Sequence, residues 1–163
     1  MSGIIDAIFG FCCFLITEIG HLFGLSYEAI NVIAFCYVEP IFTGIMVLLA
    51  ILALCRVPVR IISAVIFWSV VGTAAILFAV GAVLVIREGF DYSSSIEQQI
   101  RILSVKETNP IIVDQYNSAI LWLRTAADKL HTTYHVINIV LYVITLPLLS
   151  ILSYIIIRVR KQR

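Results

Sequence analysis

Four polar side chains recur along an apolar stretch near the end of the chain. They are three, four and three residues apart, a spacing that places them on one face of an α-helix: His135, Asn138, Tyr142 and Thr145. The uncharged part of this stretch, residues 136–157, exceeds the roughly 20 residues that a helix needs to cross a bilayer. A polar face on such a helix can line a watery path, bind an ion or hydrogen-bond to other helices, and the pattern leaves these alternatives open.

A second set of side chains is ionisable and is expected near one level of the membrane. It comes from three segments: Glu18 and His21, then Glu39, then Asp128, His131 and His135. Ionisable groups inside a membrane are costly and tend to face cavities or to pair with one another, and histidine titrates near neutral pH. The set is compatible with an ion-conducting or ion-sensing layer, with contacts to lipid headgroups, or with a metal site on Asp128 and the two histidines. One helical face is a weak indication of a metal, so we expect no metal and no cofactor.

Catalytic motifs are missing from the sequence. No Ser-His-Asp or Cys-His set shares a helix face, and there is no Gly-rich phosphate loop. The cysteines form no C-x-x-C pair and lie in apolar segments, which predicts free thiols: Cys12, Cys13, Cys36 and Cys55. We therefore expect a protein that is not an enzyme, with catalysis on lipid or nucleic acid as a third alternative. A net charge of +1 makes general nucleic-acid binding unexpected.

The composition indicates which solvent these segments occupy. The 163 residues are 61% hydrophobic and 13% charged, with a mean hydropathy of +1.06, whereas soluble domains are about half apolar and a quarter charged. The lipid bilayer is therefore the expected partner. The predicted fold is an all-α, multi-pass helical membrane protein with three to four transmembrane segments and a short extramembrane helical hairpin. The candidate segments are residues 4–25, 30–55, 61–86 and 136–157.

Two of these segments carry an ambiguity. Residues 4–25 include Asp6 and Glu18, so this segment either spans the membrane or lies in its interface. Glu39-Pro40 interrupts the second segment and marks either a helix boundary or a kink with an embedded carboxylate.

Basic residues set the expected orientation. They concentrate between the second and third segments and in the tail, whereas residues 87–130 carry five basic and six acidic residues. By the positive-inside rule both chain termini are cytoplasmic. The chain then divides into an N-terminal membrane region (1–86), an extramembrane helical hairpin (87–130) and a C-terminal transmembrane helix with a basic tail (131–163).

The extramembrane hairpin is predicted from caps and periodicity. Ser94 and Glu97 match a capping box for a helix over 94–105, and Asn109 precedes Pro110 as an N-cap would. Apolar residues then recur at steps of three and four into the membrane segment, which predicts one long helix. Its stripe needs a partner, either the 94–105 helix or the same stripe of a second copy, as in a homo-oligomer: Val113, Tyr116, Ile120, Leu123, Ala127 and Leu130.

Small residues mark two further helix faces. The first segment repeats them every seven positions, and the third carries a similar face around Gly72. Small faces favour close helix packing in lipid, although the first could also line a pore or belong to an interfacial amphipathic helix: Gly3, Gly10, Thr17 and Gly24. We find no sustained internal repeat in the sequence.

Together these patterns favour a homo-oligomeric membrane channel or pore-forming effector, gated by pH or a small ligand. Its acidic groups, Glu18, Glu39 and Asp128, would favour cations. The alternative is a non-catalytic accessory or scaffold subunit of a larger membrane complex.

Overall fold

The computed structural model describes residues 2–88 and 106–160, and this part of the chain consists of helices and turns. The five helices are α1 (Ser2–Leu22), α2 (Tyr27–Leu54), α3 (Arg60–Glu88), α4 (Pro110–Lys129) and α5 (Tyr134–Val159). All except α4 are long and apolar enough to span a membrane. The all-helical fold and the apolar segments are thus confirmed, whereas the helix predicted over 94–105 lies outside the described residues.

Helices α2 and α5 each contain a seven-residue π-helical segment, Val32–Val38 and Ile139–Thr145. Each segment ends just before a proline, Pro40 or Pro147. Proline lacks an N–H, and its ring clashes with the carbonyl four residues earlier. The wider π turn relieves that clash.

The backbone stays hydrogen-bonded through these segments. The N–H of Glu39 bonds the carbonyl of Ala34, and that of Leu146 bonds the carbonyl of Leu141, five residues back in both cases. Helix α2 therefore continues through Glu39-Pro40. The interpretation of this dipeptide as a helix boundary is wrong, and Glu39 lies near the middle of a continuous helix.

The predicted continuous helix from 110 into the last segment is also wrong. Helix α4 ends at Lys129, and His131 adopts a left-handed φ of 51°. The N–H of Thr132 bonds the carbonyl of Ala127 at 3.0 Å, and the N–H of His131 bonds that of Asp128 at 3.2 Å. These two bonds form a Schellman C-cap. Thr133 then caps the N-terminus of α5 by accepting a bond from the Val136 N–H, so local capping overrides the unbroken apolar spacing.

The same helix–turn–helix occurs twice, contrary to the expectation of no repeat. Residues 107 positions apart are equivalent. Gly24 has a φ of 65° and corresponds to the left-handed His131. The hydrogen bond from the Leu25 N–H to the Gly20 carbonyl corresponds to the bond from the Thr132 N–H to the Ala127 carbonyl. The same shift also relates further residues of α2 and α5: Ser26 to Thr133, Tyr27 to Tyr134, Ile30 to Ile137, Asn31 to Asn138 and Pro40 to Pro147. We call α1–α2 and α4–α5 the first and second units.

Equivalent residues of the two units meet. The rings of Phe35 and Tyr142 lie 4.8 Å apart, and the hydroxyls of Thr43 and Ser150 are hydrogen-bonded at 3.0 Å. Each pair is related by the 107-residue shift, so α2 and α5 run parallel in the same register. A pseudo-twofold axis therefore passes between them and along them.

Aromatic contacts between the units obey the same axis. Tyr27 meets Tyr116 edge-on, with ring centroids 6.1 Å apart. Tyr134, the equivalent of Tyr27, meets Phe9, the equivalent of Tyr116, edge-on at 5.7 Å. Each unit thus reaches across to the first turn of the other. We call this end of the α2–α5 pair, where Ser26 and Thr133 lie, the capped end.

Helix α1 lies across the capped end. Its contacts with α2 and α5 fall on the first turns of those helices: Asp6 with His135, Phe9 with Tyr134, and Cys13 with Tyr27. A helix running back along α2 would instead meet successively deeper residues. Helix α1 also packs on α3, where the Phe11 and Phe78 ring centroids lie 6.2 Å apart. Helix α1 is long and apolar enough to span a membrane, and its placement in the interface stays a prediction.

The hydrophobic core lies at the opposite end of the pair. There α2 and α5 pack through small and apolar side chains, and α3 adds Phe67, whose ring stacks on Tyr154 at 4.2 Å. The buried members are Met46, Leu49, Ala50, Ala53, Val59, Phe67 and Ile157.

The two equivalent turns predict opposite mutational effects. Gly24→Ala should destabilise the fold by about 1 kcal/mol, because an L-residue is strained at positive φ while a Cβ at Gly24 would meet no atom within 4 Å. His131→Gly should stabilise it by about 0.5–1 kcal/mol, since strain relief exceeds the added freedom of the unfolded chain. Denaturant unfolding in detergent measures both, and effects of the same sign would contradict the equivalence.

Candidate functional site

A small cleft opens between α4 and the π segments of α2 and α5. Its volume is about 30 Å³. Helix α4 supplies an apolar wall that includes Ile120 and Leu123, while both units contribute polar groups: Asn31, Cys36, Tyr116, Tyr134, Asn138 and Tyr142. The equivalent residues Asn31 and Asn138 both face this space, so the cleft is a feature of the contact between the units.

The predicted polar stripe divides in the structure. Asn138 and Tyr142 line the cleft. His135 turns to α1, where its Nδ1 lies 2.8 Å from Asp6 Oδ1 and its ring stacks on Phe9 at 4.2 Å. Thr145 donates to the Val140 carbonyl at 2.7 Å, which satisfies a carbonyl of the π segment. Only half of the stripe therefore belongs to the cleft.

Polar groups continue from the cleft toward the middle of the helices. Tyr142 interacts electrostatically with Glu39, which is half-buried. One turn beyond Glu39 lies the Thr43–Ser150 hydrogen bond on the pseudo-twofold axis. Below this pair the apolar core closes the contact between α2 and α5. We call the series Asn31, Asn138, Tyr142, Glu39, Thr43 and Ser150 the polar track.

The other predicted ionisable residues lie at two separate places. Glu18 is buried and His21 lies 3.9 Å from it at the end of α1, while Asp128 and His131 are exposed at the end of α4. His21 and Asp128 occupy equivalent positions, so the pseudo-twofold axis places them on opposite sides of the pair. Glu39 is deeper than either group. Within residues 2–88 and 106–160 no three His, Cys, Asp or Glu side chains are grouped to hold a metal ion.

The apolar stripe of α4 has a partner inside the chain. Leu123 and Ala127 are 3% and 2% exposed, and Tyr116 and Ile120 line the cleft. Leu130 remains 66% exposed. The stripe thus packs on the other helices of the same chain, and its role as a contact between copies stays a prediction.

The small-residue faces are used unequally. In α1, Gly10 is buried and Thr17 is 1% exposed, with its hydroxyl donating to the Cys13 carbonyl. In α3 the close approach is at Gly81, where a Cβ would lie 3.1 Å from Leu15. A Cβ at Gly72 would meet no atom of residues 2–88 and 106–160 within 4 Å, and a packing role for Gly72 stays a prediction.

Sequence reasoning missed several members of the polar track. Asn31, Thr43 and Ser150 were not singled out, and neither was the pairing of the two units. The signal was present as the shared spacing of Tyr, Ile-Asn and Pro in the two halves, Tyr27 to Pro40 and Tyr134 to Pro147.

A carboxylate anchors α4 over the cleft and predicts a pH effect. Ser26 donates to Glu107 Oε2, and the Asn109 and Thr108 N–H groups donate to Oε1 at 2.8 and 2.9 Å. The Ser26 bond, with these backbone bonds, lowers the pKa of Glu107 below its usual 4.5. A carboxyl group whose pKa is lower in the folded state stabilises the fold at pH values above its unfolded-state pKa. This stabilisation is lost as the pH falls through the folded-state pKa.

We therefore expect wild-type stability to decline below about pH 4.5 in part through Glu107, and Glu107→Gln to flatten that decline. Thermal unfolding at a series of pH values measures how the stability of each protein changes with pH. Asp114→Asn, on the exposed face of α4, is the matched control. Parallel pH profiles for wild type and Glu107→Gln would contradict the prediction.

Comparison with protein-family models, with curated proteins and with solved structures finds no match for this chain.

Proposed function

We propose that the protein is a cation-conducting membrane channel that assembles as a homo-oligomer and is gated by pH or a small ligand. The observation that supports this most is the position of Glu39. Its carboxyl group lies near the middle of a 28-residue apolar helix, one turn from the Thr43–Ser150 pair, and it interacts electrostatically with Tyr142. A membrane-embedded carboxylate is costly and typically marks an ion or proton path.

The polar track gives that path a direction. It begins in the cleft at the capped end and reaches the middle of α2 and α5, where the apolar core blocks it. The structure therefore corresponds to a closed state under this proposal. The π segments offer places where the upper halves of both helices can shift, because π segments inside α-helices often lie at functional sites. Half-buried Glu39 would attract cations to this path, because carboxylates at a narrow opening concentrate them.

Charge supports an orientation for the path. Arg56, Arg60, Arg158 and Arg160 lie at the end of the pair opposite the capped end, which by the positive-inside rule faces the cytoplasm. The capped end and the cleft then face outward. We place the N-terminus on the outer side as well, because α1 contacts α2 and α5 at the capped end; this is an alternative to the cytoplasmic N-terminus expected from the sequence.

Recording from the purified protein in planar bilayers tests the proposal. We expect cation current between pH 5 and 8, and we expect Asn138→Leu to reduce it because that change removes an amide from the entrance. Asn117→Leu, the same change on the exposed face of α4, should conduct like wild type. Silence of the wild type across this pH range, with and without applied voltage, would count against a channel.

A scaffold subunit of a larger complex is the second candidate. It is favoured by the seam between α2 and α5, where Ala50, Ala53, Ser150 and Ser153 are buried, as in helices held by close packing. In that case purification in mild detergent should recover a different protein in stoichiometric amount, and the protein alone should not conduct.

A further inference from the structure

We propose that the cleft between the two units binds a small monovalent cation, Na⁺ or K⁺. The proposal rests on the proposed channel function only in naming the permeating ion, because binding itself needs no conduction. It follows from the oxygen-bearing residues that line the cleft, from the charges around it and from its size.

Backbone carbonyls of the residues that line the cleft are the first candidate ligands. Pro40 has no N–H, so it cannot bond the carbonyl of Cys36 in an α register or that of Phe35 in a π register. Both residues line the cleft. By the pseudo-twofold axis Pro147 leaves the carbonyl of Tyr142 in the same situation, and Tyr142 also lines the cleft. Carbonyls released where a membrane helix departs from α geometry are typical ligands for Na⁺.

The two equivalent asparagines supply further ligands. The Asn31 Nδ2 donates to the Tyr27 carbonyl at 2.7 Å, and the Asn138 Nδ2 donates to the Tyr134 hydroxyl at 3.3 Å. These bonds engage the amide nitrogens and leave the amide oxygens as the atoms available to a cation. Each unit therefore provides one amide oxygen.

The charges near the cleft favour a single positive charge. Glu28 Oε2 is buried and accepts no hydrogen bond from the described part of the chain, and it interacts electrostatically with Tyr116 in the cleft wall. Glu39 acts similarly on Tyr142. The opposing charge is Arg124, whose guanidinium carbon lies 5.9 Å from the Tyr134 ring centroid. The charged groups that act on the cleft wall thus include two carboxylates and one guanidinium.

The donor set and the volume select the class of ion. Among the described residues no carboxylate lines the cleft, whereas Ca²⁺ and Mg²⁺ sites are built on carboxylates. Neutral carbonyl and amide oxygens instead suit Na⁺ or K⁺. A water needs at least about 10–15 Å³ of such space, so the cleft volume of about 30 Å³ accommodates an ion with one water.

Binding can be measured on the purified full-length protein. We would follow thermal unfolding in NaCl, KCl or choline chloride at constant ionic strength, and equilibrium dialysis with ²²Na⁺ and ⁸⁶Rb⁺. We expect saturable binding of at least one ion and a rise in Tm of about 3 °C at ten times its Kd. The double variant Asn31→Leu/Asn138→Leu should lose the saturable binding and the rise in Tm. The control variant Asn117→Leu should retain the binding and the rise in Tm.

A second variant covers the case in which the double leucine variant does not fold. Asn138→Asp keeps the side-chain size and adds a negative charge, so it should lower the half-saturating cation concentration about tenfold. Equal Tm values in all three salts, or binding unchanged in the folded cleft variants, would overturn the site. Binding without current would refute the channel and keep the site, whereas current without saturable binding would do the reverse.

Discussion

Glu39→Gln is expected to reduce cation current through the reconstituted protein about a hundredfold. A unit charge about 6 Å from a permeating cation, at an effective dielectric constant of about 20, contributes roughly 3 kcal/mol, and that corresponds to two powers of ten in ion occupancy. Glutamine has nearly the same volume and retains a polar group at this position, so the substitution removes the charge while the helix packing is preserved. Single-channel recording at symmetrical salt measures the effect.

The control is Asp114→Asn, an equivalent change on the exposed face of α4. It should leave the current at the wild-type level, because its charge is in contact with solvent and is screened. Equal currents from wild type and Glu39→Gln would remove the central support for the proposed path, since Glu39 would then be a tolerated carboxylate without a role in conduction.

The sequence predicted those features that depend on long stretches of one kind of residue. The apolar runs over 30–55, 61–86 and 136–157 became α2, α3 and α5, because burial in lipid requires length and hydropathy more than particular side chains. Asn109 and Pro110 were predicted as the start of a helix and do cap α4, with the Asn109 side chain accepting from the Ile111 N–H. These signals are local and strong.

The turn between α4 and α5 could not be predicted by periodicity. Ala127, Leu130 and Tyr134 keep helical spacing across it, yet two hydrogen bonds and a left-handed histidine end the helix there. Left-handed conformations are usual for glycine and uncommon for histidine, so the residue type gave little warning. Comparison with Gly24 in the first unit would have indicated the turn.

The repeat was hidden because side chains diverge wherever the environments differ. Phe14 in α1 is 6% exposed, while its equivalent Leu121 in α4 is 67% exposed, since α1 also packs against α3. What persists is what the backbone geometry requires: the caps, the turn and the prolines. The cleft depends on the pairing of the two units, so its members could not be assembled from either segment alone.

The contact between α2 and α5 below the polar track carries the largest expected effect on stability. Ile157 is fully buried in that contact, and Met46 beside it in the core is fully buried as well. Ile157→Ala should destabilise the fold by about 2–5 kcal/mol, the usual cost of a cavity left by a large aliphatic side chain. Ile156→Ala is the matched control, because Ile156 is 42% exposed and its loss to lipid should cost less than about 1 kcal/mol.

Unfolding in mixed micelles with increasing denaturing detergent compares the two variants, and equal destabilisation would mean that the buried contact is not the core of the folded chain.

The same pair of variants also separates the two functional candidates. If the path through α2 and α5 is closed by this contact, Ile157→Ala should raise the resting current at neutral pH while Ile156→Ala leaves it unchanged. If the contact only holds a scaffold together, both variants should be silent and differ in stability alone. Current that rises with the buried substitution and not with its exposed neighbour would therefore identify the apolar core as the closed gate of the polar track.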